Sequence, residues 1–208
     1  MIPISERLLF ERYRGGEREA FAPLVHAWRA RVFGYLTRCG VPAADRDDLF
    51  QEVFLRIHRA ALRVPVAGHV ADELAPSEEA PESGSLVPWM MTITVNVVRS
   101  HFRKATVRSV VSLEERAGDD VPAPTRGPEA ELTTRETAEW MERAIAALPL
   151  EQREALVLSA IDGMEIAEVA RVVGAPAETV KTRVRRARLA LADARARRAL
   201  VAEREEGA

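Results

Sequence analysis

One cysteine, Cys39, in 208 residues excludes an intramolecular disulfide and the paired thiols of a structural zinc site. His26, His58, His69 and His101 are scattered without metal-ligand spacing, so no metal and no other cofactor is expected. Aromatics make up 5% of the chain. The amino-terminal stretch MIPISERLLFERYRGG is charged every few residues and lacks an apolar core. That pattern fits neither a signal peptide nor a transmembrane span, so stable membrane insertion is not expected and a cytoplasmic protein is. Alternating β-branched runs are few. A large charge imbalance is also missing. The formal net charge of −2 does not announce a nucleic-acid binder, and only the local distribution of charge can reveal one.

What the chain does contain is Ala, Leu, Arg, Glu and Val recurring at helical spacings, with 47% apolar residues overall. This composition predicts an all-α fold. Two stretches read as loops. Pro65 to Ser85 holds Pro65, Gly68, Pro76, Pro81 and Gly84 among acids, and Ser112 to Glu129 holds Gly118, Pro122, Pro124, Gly127 and Pro128. They divide the chain into helical blocks at about Ile4–Arg63, Leu86–Val107 and from Glu131 onward. Within the first block Gly40-Val41-Pro42 separates helices and Asp45 is a candidate N-cap; Pro88 suits the first turn of the second block. No internal repeat is visible.

Charge is concentrated near the carboxyl end. From Arg171 to Arg198 there are nine Arg and Lys residues against only Glu178 and Asp193. The local pattern there predicts a helix-turn-helix. Leu148-Pro149 ends one helix, a second runs over Glu151–Ala160, and Asp162-Gly163 turns the chain. A short helix follows with the stripe Ile166, Val169, Ala170 and Val173; Gly174 closes it and Pro176 opens the next. In that last helix Val180, Val184, Ala187 and Leu191 share one face. At about 100° per residue, Glu178, Thr179, Thr182, Arg185 and Arg186 then point outward, with Lys181, Arg183 and Arg188 on the flanks. A helix entering the major groove needs hydrogen-bonding groups near its amino-terminal half and cations beside them for phosphates. An amphipathic helix with a solvated basic face is the plain alternative.

Leu148-Pro149, Gln152-Arg153-Glu154, Ile166-Ala167-Glu168-Val169-Ala170, Gly174, Pro176 and Thr179-Val180-Lys181-Thr182-Arg183 together resemble region 4 of the extracytoplasmic-function sigma factors, a group of the sigma-70 family. Asp47-Asp48-Leu49-Phe50-Gln51-Glu52-Val53-Phe54-Leu55-Arg56-Ile57 resembles that family's region 2 helix, which docks on the RNA polymerase clamp. Leu49, Phe50, Val53, Phe54 and Ile57 point one way; Asp48, Gln51, Glu52 and Leu55 share the opposite face. An outward Leu among acids suits a protein interface, or a contact with another part of its own domain. The second block resembles the promoter-melting helix, with Trp89, Asn96 and Arg103 after Pro88. Its pattern sets Met91, Val95, Val98 and Phe102 against Trp89, Thr92, Asn96, Arg99, Ser100 and Arg103. Trp89 would stack on an unpaired base or serve as core, Asn96 would hydrogen-bond a base, and Arg99, Arg103 and Lys104 would hold a separated strand.

The resemblance implies two small helical domains joined by a flexible linker. These are a region 2-like domain over 1–107 that includes the 65–85 loop, a linker over 108–130, and a region 4-like domain over 131–208. It also implies core RNA polymerase, promoter DNA and an anti-sigma factor or other regulator as partners. Glu114, Glu115, Asp119 and Asp120 of the linker would mimic nucleic-acid charge inside polymerase or simply belong to a tether. Two departures stand out. Ser100 replaces an acid common in the family, and the 65–85 segment exceeds the usual connection, so no pocket residues are assigned for a flipped base. Two other classes remain open. An autonomous two-domain regulator explains the helix-turn-helix but not the clamp-like helix. An enzyme with Asp47, Asp48 and Glu52 near His58 lacks any accompanying nucleophile or phosphate loop.

Overall fold

The computed structural model describes residues 5–62, 80–82, 84–111 and 129–206. Every regular element among them is helical. Most of the 65–85 and 108–130 segments, with Glu114, Glu115, Asp119 and Asp120, lies outside the described residues.

Helix α1 (Glu6–Arg14) starts where the Ser5 hydroxyl accepts from the Leu8 backbone N–H at 3.2 Å, a side-chain N-cap. A 3-10 turn at Arg18–Ala20 leads into α2 (Phe21–Arg38), and α3 spans Ala43–Leu62. Helix α3 therefore begins two residues before Asp45, which sits in its first turn and is not the cap. Pro42 supplies the preceding carbonyl to the Asp45 N–H at 3.0 Å. Helix α4 (Val87–Val111) runs four residues past the expected end of the second block, and α5 (Glu129–Ala146) starts two residues before the expected third. The interval between them is correspondingly shorter than 108–130.

The carboxyl-terminal elements follow the punctuation of the sequence. Helix α6 (Leu150–Leu156) starts after Pro149 and widens into a π-helical turn at Val157–Ile161. Gly163, at φ 69°, reverses the chain into α7 (Ile166–Val173). There the Glu165 N–H donates to Glu168 at 3.2 Å, and Gly174 caps the end in the left-handed conformation at φ 65° and ψ 41°. Glycine adopts that conformation without the Cβ clash that penalises other residues. Helix α8 (Ala177–Glu206) completes the helix-turn-helix.

Most of the few aromatics lie on α1 to α4, with Trp140 on α5 the exception. Phe10 packs on Trp89 with ring centroids 5.1 Å apart, Phe33 stacks on Phe50 at 4.7 Å, and Arg29 lies 4.6 Å from the Phe33 centroid. Aromatic pairs and cation–π contacts of this kind add to the gain from burial. The core does not stop at the boundary between the amino- and carboxyl-terminal blocks. A single contiguous set of buried side chains runs from Phe10, Leu24 and Trp28 through Met90, Ile93 and Val97 to Leu158, Val169 and Val172. Helix α4 carries that continuity, because it packs against α3 on one side and α7 on the other.

Candidate nucleic-acid and protein interfaces

The α8 surface divides as its periodicity predicts. Val180, Val184 and Ala187 are buried and Leu191 is half-buried. Glu178, Lys181, Arg185, Arg186 and Arg188 are exposed, and Thr179 and Thr182 are half-buried. The cations need that exposure to reach phosphates or base edges. Arg183 behaves differently. Its guanidinium donates to Glu151 at the start of α6, and its side chain is only 19% exposed. It ties α8 to α6 rather than standing clear of the surface. Lys181 donates to Glu178 at 2.6 Å in a solvent-exposed i, i+3 pair, a weak contact that a phosphate can displace. Pro149, Glu151, Gln152, Thr179, Thr182 and Arg186 line a groove between the starts of α6 and α8.

On α3, Phe50, Val53, Phe54 and Ile57 are buried and Leu49 is half-buried, whereas Asp48, Gln51 and Leu55 are exposed. Leu55 stands 48% exposed, so no described part of the chain covers it. Glu52 accepts from Arg56 at 2.8 Å and holds that guanidinium beside the leucine. The result is an apolar point with acids on the same face, the composition of a polar-rimmed contact patch.

Helix α4 departs most from its sequence pattern. The alternation of faces predicts a wet stripe through Trp89, Thr92, Asn96 and Arg99, but Trp89 and Thr92 are each 6% exposed. Met90, Ile93, Thr94 and Val97 are buried too, so the first three turns are enclosed all round. Two neighbours contribute: Phe10 of α1 packs on Trp89, and α7 packs against α4, where Arg99 reaches the Val173 carbonyl. The Thr92 and Thr94 hydroxyls donate to the Pro88 and Met90 carbonyls at 2.8 and 2.9 Å, which is how a helix buries threonine without an unsatisfied group. Asn96, Arg99 and Ser100 are half-buried, and only beyond them are Arg103 and Lys104 exposed.

Arg99 is the centre of a buried polar cluster. Its Nε donates to Glu154 Oε1 at 2.9 Å, its Nη2 to Glu154 Oε2 at 2.6 Å, and its Nη1 to the Val173 carbonyl at 3.1 Å. Glu154 is 0% exposed. Burial pushes its carboxyl above the usual range, while the Arg99 fork draws it part of the way back. Next to it Arg153 donates to the carbonyls of Cys39 and Ala146, and to that of Leu148 at 2.7 Å. Burial lowers the Arg153 guanidinium and pushes the Cys39 thiol up to about 12. The Gln152-Arg153-Glu154 string was visible as a resemblance, but its structural role was not read from it. A usable signal was present. Glu154 shares the helical stripe of Leu150, Leu158 and Ile161, so an acid on that stripe needs a buried partner.

Comparison with known proteins agrees with this geometry. The family model described as "Sigma-70, region 4" matches residues 138–191, which include α6, α7 and the first half of α8. The ECF RNA polymerase sigma-E factor of Escherichia coli (strain K12) is 25% identical over 194 residues, covering 90% of this chain and 93% of that protein. The RNA polymerase sigma-H factor of Pseudomonas aeruginosa is 26% identical over 193 residues, covering 90% and 92%. Among solved structures, the sigma factor RpoE of Bartonella quintana, in complex with the anti-sigma factor NepR, shares the fold with a TM-score of 0.61 at 19% identity, covering 84% of this chain and 95% of that one. CnrH in complex with the cytosolic domain of CnrY gives 0.59 at 23% identity, covering 90% and 95%. Over residues 138–191 the chain thus matches the sigma-70 region 4 family, and over nine-tenths of its length it is similar to curated RNA polymerase sigma factors, among them one of the ECF group.

Proposed function

We propose that this protein is a sigma factor that binds core RNA polymerase and directs it to specific promoters for initiation of transcription. The observation that carries this reading is the pairing of two unlike exposed surfaces on one chain: Leu55 among acids on α3, and the cations of α8. One suits a protein partner and the other a polyanion. The protein performs no covalent chemistry in this reading, and its work is done where polymerase is, in the cytoplasm. Among the described residues no helix is long and apolar enough to cross a membrane.

Asp48, Gln51, Glu52 and Leu55 form the polymerase contact. Glu178, Thr179, Lys181, Thr182, Arg185, Arg186 and Arg188 read the upstream promoter element as duplex, with Arg183 orienting α8 through Glu151. On α4, Asn96, Arg99, Arg103 and Lys104 meet the downstream element as it opens; Trp89 and Thr92 join them only if α4 is uncovered. The region 2-like unit ends with α4 and the region 4-like unit starts with α5. An anti-sigma factor or another regulator is a further proposed partner, as the related fold of RpoE was solved in complex with the anti-sigma factor NepR.

Run-off transcription with purified core polymerase over a promoter library tests the reading. Selective transcripts that depend on the protein are expected. Binding to a defined operator without polymerase, together with no co-purification of polymerase, would replace it with an autonomous regulator.

A further inference from the structure

Two clefts flank the outward face of α8. One, of about 800 Å³, is lined by Ile166, Lys181, Arg185 and Arg188; the other, of about 500 Å³, is the groove toward α6 that holds Gln152, Thr179, Thr182 and Arg186. At about 100° per residue, Thr179 and Arg185 stand about 60° to either side of Thr182, so the clefts open on opposite flanks of one face. A helix seated in a major groove is walled by a phosphate backbone on each flank.

The two flanks differ in chemistry. Lys181, Arg185 and Arg188 make the first one cationic. In the second, Arg183 is spent on Glu151, and the other carboxylate of the groove, Glu178, pairs with Lys181 at 2.6 Å. What remains there, beside the exposed Arg186, is neutral hydrogen-bonding capacity. Gln152, Thr179 and Thr182 are half-buried, and among the described residues no hydrogen bond engages their side chains. Thr92, Thr94 and Thr106 instead spend their hydroxyls on carbonyls one turn back. A half-buried donor without a partner gains when a ligand supplies one, most of all when the acceptor is charged.

We propose that Gln152 is a phosphate-binding residue, whose side-chain amide donates, together with the Thr179 hydroxyl, to one phosphodiester of the promoter strand that runs along the α6 side of α8. The proposal rests on the reading of α8 as the helix that enters the upstream promoter element. Phosphate contacts fix register and orientation rather than sequence. Adjacent residues of α6 then divide the work: Glu151 holds α8 through Arg183, and Gln152 holds the same edge of α8 to the duplex. An amide carries no charge and releases no counterion, so this contact does not add to the salt slope set by the cations.

The test uses the full chain bound to core polymerase and a promoter duplex. Gln152→Ala should weaken binding about tenfold, by the same factor for the cognate element and for its base-substituted versions, with the salt slope unchanged. A methylphosphonate scan of the upstream element locates the contact. One linkage whose replacement weakens the wild type should have no effect on Gln152→Ala, while the other sensitive linkages keep theirs. Gln152→Glu, nearly the same in shape, sets a carboxylate against the phosphate and should bind more weakly still; it carries the test if circular dichroism shows that Gln152→Ala has lost helicity. Undiminished affinity in a variant of native helicity overturns the proposal. A loss confined to one base pair overturns it too, because Gln152 is then a base reader. So does a uniform loss that keeps the wild-type pattern of sensitive linkages, because Gln152 then acts only by orienting α8. Failure of the sigma-factor reading itself has a different signature: the wild type then gives no promoter-dependent transcript with core polymerase.

Discussion

Leu55 and Cys39 mark opposite extremes of accessibility. Leu55 projects from α3 with 48% of its surface in solvent, so Leu55→Asp removes no core packing. It should weaken polymerase binding at least tenfold, about 1.4 kcal/mol, while leaving circular dichroism native-like. Undiminished affinity measured by surface plasmon resonance would remove Leu55 from the contact. Cys39 is fully enclosed, and burial raises its thiol from 9.0 to about 12. The thiolate is the reactive form, so at pH 8 its population in the folded protein is roughly a thousandfold below that of the same thiol at its ordinary value. Iodoacetamide followed by mass spectrometry should leave native Cys39 unmodified at pH 8 and alkylate it in urea. Because the shift is upward, reactivity rises with pH yet stays suppressed until pH approaches the raised value. Rapid native alkylation at pH 8 would contradict this account of the site.

At the level of elements, α8 works because its buried and exposed faces are set by different neighbours. Val180, Val184 and Ala187 lock it to α6 and α7, and the Arg183–Glu151 pair fixes its rotation. Arg185 and Arg186 are left exposed on the opposite face, where the proposed function has them read DNA. Substituting either with Ala should cost about 1–3 kcal/mol of promoter discrimination where it makes a bidentate contact to guanine. The check is a competition between cognate and base-substituted promoters in the presence of polymerase; equal preference in both variants would assign base reading elsewhere. Helix α4 shows the opposite arrangement, with two layers covering it and little of its polar side left in water.

For the whole molecule, a net charge of −2 with cations gathered on α8 implies weak, salt-sensitive binding to duplex DNA without polymerase. Two to four phosphate contacts correspond to a slope of about −2 to −4 in log K against log salt, and Arg188→Ala should reduce it by about one. Anisotropy titrations across a range of salt concentrations measure this directly. A slope near zero would mean that α8 does not meet the phosphate backbone.

Helix positions, the turn at Gly174 and the faces of α3 and α8 were legible in the sequence. Each depends on local periodicity, on a left-handed glycine or on a proline that cannot continue a helix. Cys39 could be read as unpaired for the same reason that it is the sole cysteine. The enclosure of α4 was not legible. Periodicity reports that a helix has an apolar stripe, but it cannot tell whether other helices cover the remaining side; Phe10 of α1 does so here, together with α7 more than fifty residues downstream. Nor could one strand of text show that Arg99 and Glu154 meet, because a charge on a mixed face reads as solvated until its partner is placed. Local chemistry thus determined which surfaces exist, and tertiary packing decided which of them are open.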